Sequence, residues 1–477
     1  MGYKIGVDKQ QLSLLPVSLD DYVPENHICR VITAFTEQLN LEALGYKYAE
    51  CKKTGCRPYD PRMMLNLYLY GYLHRVRSSR RLRDEAVRNV EVMWLMEGLR
   101  PDDKTICNFR KDNAKALRET FREFVLMCRE GELYGGEVIA TDGTKFRANN
   151  ALKNTHNEIV VKNELGRIEK RIRKYLEELE EADQEEEGES PPDTEKLKAA
   201  LEKLRQRKAN YEGLEKRVVA AGEVSTVDPD ARLMRMGGDG RRLDSGYNVQ
   251  TVVDGKHHII VDFEVTNNSG DNGNLYKMAG RAKALLGVQT LVNLADKGYY
   301  DSDDLAACER NGITCLVAKP RQTGPAKAAA FAYRQFVYDR DKDRYVCPGN
   351  QHLEYRRTKK NFSGKECRVY VNYTACRTCL EKTECTNYRY REIHRLPHQD
   401  ILGIVEERTR KNQELYRKRQ AIVEHPFGTI KAVWGYKQFL CRTKVKVTAE
   451  TALAYLAYNI RRVFTISMET GLQPVFE

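Results

Sequence analysis

The sequence predicts an α/β fold: a mixed β-sheet flanked by helices, with an all-helical N-terminal region, a helical-hairpin insertion and a Cys-rich insertion. Three observations carry this reading. Residues 58–130 show the apolar spacing of helices. From Glu137 the texture changes to short runs rich in β-branched residues. Between the last two runs lies SDDLAACERNG (302–312), with a Ser cap, acids in its first turn and a closing Gly, the pattern of a crossover helix between parallel strands.

The helical region, residues 1–131, contains MMLNLYLYGYL (63–73), apolar around its whole circumference as a buried helix should be, and FREFVLM (121–127). Between them, Arg75–Arg88 holds six arginines against two acids, with Ser78 and Ser79 placed to cap the next helix. This stretch, Arg80 and Arg81 included, reads equally as a helix-turn-helix-like DNA reader and as a solvated helical face.

Residues 132–477 form the α/β part. Its five expected strands are EVIATD (137–142), YNVQTVVD (247–254), HIIVDFEVT (258–266), TLVNLAD (290–296) and ITCLVAKP (313–320), a hairpin-connected set followed by a βαβ unit. Residues 155–220 interrupt it as an antiparallel helical hairpin. Apolar positions run from Leu165 to Leu179 and from Leu197 to Tyr211, parted by GESPPD (188–193). The acidic run Glu177–Glu189 reads as a solvated helix end. A second interruption, 322–400, is basic and Cys-rich, and a last helix offers Leu453, Leu456, Ile460 and Val463 to a core.

At 477 residues with a 41% apolar share, the chain calls for more than one domain and can bury real cores. A net charge of +12 suits a polyanionic partner and equally a solvated surface. No apolar run is long enough to cross a bilayer and the first residues lack a signal-peptide core, so a soluble, cytoplasmic protein is expected.

The chemistry concentrates in three acids. Asp142 in IATDGTKFRA (139–148) is placed by this reading at a strand end, followed by Gly143 and the cations Lys145 and Arg147. Read alone, Asp-Gly more often marks a turn. Asp296 in NLADKGYYDS (293–302) repeats the arrangement, with Lys297 and Gly298 next, and two such strand ends are hard to explain as unrelated turns. Glu424 lies on a basic helix: from Arg408 to Lys446 there are eleven Lys or Arg against two acids. Arg417 and Lys431, seven residues either side, are expected to share its face, although Pro426 should kink the helix. Three carboxylates on a basic surface suit phosphodiester chemistry, in which two divalent ions roughly 4 Å apart activate water and stabilise the leaving oxygen. Mg²⁺ or Mn²⁺ would be held, since hard ions take oxygen ligands.

The order of elements resembles the ribonuclease H-like catalytic domain of prokaryotic insertion-sequence DDE transposases. The motifs that carry the resemblance are DDKTICNFRK (102–111), DPDARLMRMGG (228–238), GYNVQTVVD (246–254), ADKGYYDS (295–302) and VEHPFGTIK (423–431). Asp142, Asp296 and Glu424 fall on the family's three acids. Tyr416, Arg419, Glu424 and Lys431 match its Tyr-Arg-Glu-Lys helix pattern, with the Arg to Glu interval one residue longer than usual. The resemblance implies that metal-activated water cuts at each transposon end and that the released 3′-hydroxyl attacks target DNA at the same site. Lys431 would hold a phosphate, with Lys145 and Lys297 behind it. It further implies double-stranded DNA partners, namely the terminal inverted repeats and the target, a homodimer on DNA, and a cytoplasmic, nucleoid-associated location. The rivals are a non-catalytic, decayed DNA-binding protein that still recognises the repeats, and a nuclease that cuts without joining.

Cys376, Cys379 and Cys385 form a CxxC with a third Cys, and Cys347 lies upstream. They read as a four-thiolate structural zinc site or as buried reduced thiols, with Cys367 as a substitute ligand and the other cysteines as core packing. His257, His258 and His425 read as surface or satisfied side chains. Asp228, Asp230 and Asp271 either shape the metal site or cap turns, Asp271 having the better claim to the site.

Overall fold

The computed structural model describes residues 18–50, 57–184, 194–236, 242–320, 331–361 and 364–471. The opening residues MGYKIGVDKQ, the GESPPD breaker, part of the DPDARLMRMGG motif, Cys51 and Cys56 lie outside them. Six helices come first: α1 (Ile28–Glu37), α2 (Pro61–Leu73), α3 (Ser79–Arg88), α4 (Val90–Leu95), α5 (Asp103–Asp112) and α6 (Ala114–Glu130). Local chemistry sets several starts. Asp60 accepts the N–H of Arg62 ahead of Pro61, whose missing donor costs nothing in a first turn. Asp102 caps α5 through Thr105. Ser78 stands at the N-cap of α3, but its hydroxyl makes no capping bond.

The main sheet has six strands: β1 (Val138–Arg147), the hairpin insertion, then β4 (Arg232–Met236), β5 (Arg242–Asp254), β6 (Ile260–Thr266), β7 (Leu291–Ala295) and β8 (Ile313–Val317). The path runs β4-β5-β1-β7-β8, and β6 shares β5's outer edge with β4. β5 is antiparallel to β1, while β1, β7 and β8 are parallel. α9 (Leu275–Leu286) and α10 (Ser302–Arg310) are the crossovers. The cap of α10 is Asp301, which accepts from the N–H groups of Asp303 and Asp304; the expected cap, Ser302, is buried as the first helical residue.

The insertion within this sheet is α7 (Glu158–Gln184) against α8 (Thr194–Ala221), closed at its base by the short strands β2 (Thr155–Asn157) and β3 (Glu223–Ser225). The second insertion holds more structure than its cysteines suggested. A five-stranded sheet, β9 (Val337–Asp339), β10 (Arg344–Val346), β11 (His352–Lys360), β12 (Glu366–Val371) and β13 (Ile393–Arg395), carries the short helices α11 (Tyr373–Arg377) and α12 (Lys382–Cys385). It has its own small core, Phe336, Tyr345, Leu353, Tyr370 and Ile393.

α13 (Gln399–Lys411), α14 (Gln413–Phe427) and α15 (Lys444–Thr470) complete the chain. α15 is buried on every side from Thr451 to Ile460 and packs on α2, α6 and β6, so the N-terminal helices and the sheet share one core. Its Asn459 bonds both the N–H and the C=O of Ile260, and Asp262 on β6 receives Arg118 at 2.5 Å and Arg281 at 2.6 Å. Asp228 and Asp230 anchor the start of α15 by accepting from the N–H groups of Thr443 and Lys444, where a helix N-terminus favours anions. They cap structure and do not approach the three acids through any of these bonds. No described helix is long and apolar enough to cross a membrane.

Candidate active site

The parallel pairing of β1 with β7 ends on the rung Thr141–Ala295, and the next residue on each strand is an aspartate. Asp142 and Asp296 therefore stand next to each other where the two strands part. β1 does not end there: it runs on to Arg147 against β5, with Asp142 opposite Thr251 and Gly143 opposite Gln250. Asp-Gly is neither a turn nor a strand terminus. β5 is long enough to pair beyond the point where β7 stops, and that places a carboxylate mid-strand at an open rim.

One Asp142 oxygen accepts from Gly143 N–H at 2.8 Å and the other pairs with Arg419 at 3.1 Å. Burial pushes this carboxyl up to about 6; Arg419 opposes the rise, Asp296 adds to it, the Gly143 N–H opposes it, and Asp271 adds again. Asp296 caps the turn Lys297–Tyr299 by accepting from Gly298 N–H at 2.6 Å.

Asp271 joins them from the loop before α9. Its Oδ1 accepts from Asn248 Nδ2 at 2.8 Å and Gln250 Nε2 at 2.7 Å, and the buried Tyr299 hydroxyl donates to Gln250 Oε1. Two glycines make room for this convergence. A Cβ on Gly143 would collide with Asp271 Oδ1 and lie 2.7 Å from Gln250 Nε2 and 3.0 Å from Asn248 Oδ1; one on Gly298 would lie 2.8 Å from Asp296 Oδ1 and 3.2 Å from Asp271 Oδ2. Asn248 is fully buried and its Oδ1 has no hydrogen-bond partner. The sequence carried a signal for this shell: Asn248 and Gln250, two amides two residues apart among the apolar residues Tyr247, Val249, Val252 and Val253, face the same side.

The third predicted acid stands apart. Glu424 is exposed and accepts from Gln420 of its own helix at 2.7 Å. Arg417 and Glu424, seven residues apart in α14, are both exposed, but Lys431 does not share their face: it turns onto β1, donating to Thr144 Oγ1 and, at 2.7 Å, to the Lys145 carbonyl. The reason is local. Pro426 has no N–H to give, and from Gly428 to Val433 the helix widens to π geometry, which advances each residue by a smaller angle than α. Tyr416 and Arg419 dock α14 on the rim, Tyr416 by donating to the Ala295 carbonyl at 3.3 Å and Arg419 through Asp142. His425, predicted to be a satisfied side chain, contacts Tyr458 through Nδ1 at 2.6 Å and stacks on His258.

Among the candidate DNA contacts, Lys297 is exposed at the rim and Lys145 half-buried beside it. Arg80 and Arg81 are exposed on α3, Arg80 lying 3.8 Å from Asp103. Arg77 of the same stretch serves packing, donating to the Gln438 carbonyl and lying over Tyr436.

Cys347 lies at the β10–β11 turn, with Cys376 and Cys379 on and after α11 and Cys385 closing α12. Burial pushes the Cys385 thiol up, Arg391 opposes, and Cys376, Cys379 and Cys347 each add to the rise. Cys367 is buried within β12, opposite Lys359. Of the cysteines assigned to core packing, Cys107 is instead exposed. Among the described residues, no three His, Cys, Asp or Glu side chains are gathered to hold one metal ion.

Two family models match the chain. A transposase domain, DUF772, covers residues 17–112, and a transposase DDE domain covers 224–460, a span that contains Asp271, Asp296, Glu424 and Lys431 but begins after Asp142. No curated protein and no solved structure matches.

Proposed function

Because the chain belongs to the insertion-sequence DDE transposases, we propose that it cuts the phosphodiester bond at each end of its element and joins the freed 3′-hydroxyl to target DNA. The observation that supports this best is the pair of aspartates that follow the last rung of the β1–β7 pairing. Their surroundings fit Mg²⁺ or Mn²⁺: carboxylate oxygens, a buried amide oxygen without a partner, and a cradle that two Cβ atoms would fill. Mg²⁺ keeps several waters and takes one or two protein carboxylates, so the absence of a closed three-ligand cage is no obstacle. Asp142, Asp296 and Glu424 would hold the ions, which when bound supply an activated water and a stabilised leaving oxygen.

The chain's own residues do the rest. Tyr416 and Arg419 hold α14 against the rim, and Arg419 keeps one oxygen of Asp142 oriented. Glu424 joins the pair by giving up its bond to Gln420. Lys145, Lys297 and Lys431 bind the DNA backbone near the scissile bond, and Arg80 and Arg81 extend the contact along α3. A homodimer on DNA would hold both terminal inverted repeats together.

The test is incubation of the protein with DNA carrying the element's ends, with and without Mg²⁺. Cleaved ends bearing 3′-hydroxyls and joined target are expected, and both disappear in Asp142→Ala. Identical products from wild type and Asp142→Ala would exclude the three-acid site; binding without cleavage would favour a decayed, non-catalytic protein; cleavage without joining would favour a nuclease.

A further inference from the structure

We propose that Asp271 is a fourth carboxylate of this site, a ligand to the divalent ions that is held in place by a relay of buried amides; the inference rests on the metal-dependent reading above. Of the acids beyond Asp142 and Asp296, Asp271 lies against both glycines that follow the aspartates on the sequence, while Glu424 is exposed and bonded within its own helix.

Its orientation is determined. The carboxylate Oδ1 takes two amide donors, Asn248 and Gln250. Gln250 is engaged at both ends, its Nε2 donating to Asp271 and its Oε1 accepting the Tyr299 hydroxyl. Tyr299 follows Asp296 by three residues, so Gln250 ties the second-acid motif to Asp271. With Oδ1 engaged, Oδ2 is directed toward Gly298 and Asp296.

Asn248 gives an independent indication of a cation. Its Nδ2 is committed to Asp271, which fixes its Oδ1 toward Gly143, fully buried and without a partner. A buried acceptor without a donor is costly, and a cation between the carboxylates would satisfy it. Amide oxygen and carboxylate are both ligands for hard divalent ions.

The experiment is Mn²⁺ binding to the full-length protein without DNA, followed by the free-ion electron paramagnetic resonance signal, so that the readout is independent of cleavage. Asp271→Asn is expected to weaken binding by about 10-fold or more, the scale of an outer-shell loss or larger. Asp271→Cys is expected to change ion preference: Cd²⁺ displaces bound Mn²⁺ at least tenfold more readily than in wild type, because a thiolate prefers the softer ion. A residue with a merely structural role would not move that ratio, and it is read only on protein that still binds Mn²⁺. Binding lost in Asp142→Asn but unchanged in Asp271→Asn, or a Cd²⁺ to Mn²⁺ preference in Asp271→Cys equal to wild type, overturns the inference and leaves the site reading intact. Absence of saturable Mn²⁺ binding by wild type overturns both.

Discussion

The rim of the main sheet and the Cys-rich insertion both present metal-ligand chemistry, and they differ in what surrounds it. At the rim, carboxylates emerge from paired strands on a core that also includes α15 and the N-terminal helices. In the insertion, the four thiols sit on a hairpin turn and two short helices above a core of five buried residues. The ions differ accordingly. Mg²⁺ is satisfied by a pair of carboxylates and water, so strand register alone can build its site. Zn²⁺ needs four protein ligands in a tetrahedron, so its site is completed only when several loops are held together, and metal binding itself supplies folding energy. We propose on this basis that Cys347, Cys376, Cys379 and Cys385 hold a structural zinc.

Four measurements test this difference. Asp296→Asn should reduce metal-dependent cleavage on the order of a thousandfold, the equivalent of several kcal/mol of lost charge stabilisation, while leaving zinc content and thermal unfolding unchanged. Cys376→Ser should do the converse: elemental analysis falls from one zinc per chain to none, and limited proteolysis opens the insertion while Mn²⁺ binding at the rim persists. Equal zinc content in wild type and Cys376→Ser would remove the four-thiolate proposal.

Gly143→Ala tests the tightness of the rim. Its methyl has no room among Asp271, Gln250 and Asn248, so overpacking of about 1–3 kcal/mol should lower the unfolding midpoint, and cleavage should fall with it. The smallest effect concerns Lys431. Burial lowers its amine to about 8, with Asp142 opposing. Its charge is therefore present below that value and lost above it. Fluorescence anisotropy with a terminal-repeat fragment should show affinity falling above pH 8 by up to about tenfold per unit for one linked proton, and Lys431→Met should flatten that limb. An unchanged pH limb in the variant would place Lys431 in packing alone, consistent with its bonds to Thr144 and Lys145.

Local pattern reached the five principal strands, the crossover α10 and the two long helices of the hairpin, because each is written in periodicity and punctuation within a dozen or so residues. It also singled out Asp142 and Asp296, since a carboxylate after an apolar run with a Gly one or two residues on is visible in one dimension. The five strands of the second insertion were not legible: most are only three to six residues long, too short for alternation to show. The short β4 was missed for the same reason.

Local pattern supplies an inventory: the principal strands and helices, two aspartates after apolar runs, and a Glu on a basic helix. Adjacency comes from the folded chain. Whether Asp142 ends a strand or continues it depends on the length of β5, more than ninety residues downstream. Whether Glu424 faces the aspartates depends on how α14 docks on the rim through Tyr416 and Arg419. And Asp271 entered the site through Asn248, Gln250 and Tyr299, partners about twenty to thirty residues away whose convergence no local spacing encodes. Periodicity is a property of neighbours along the chain, whereas a metal site is a property of neighbours across the sheet.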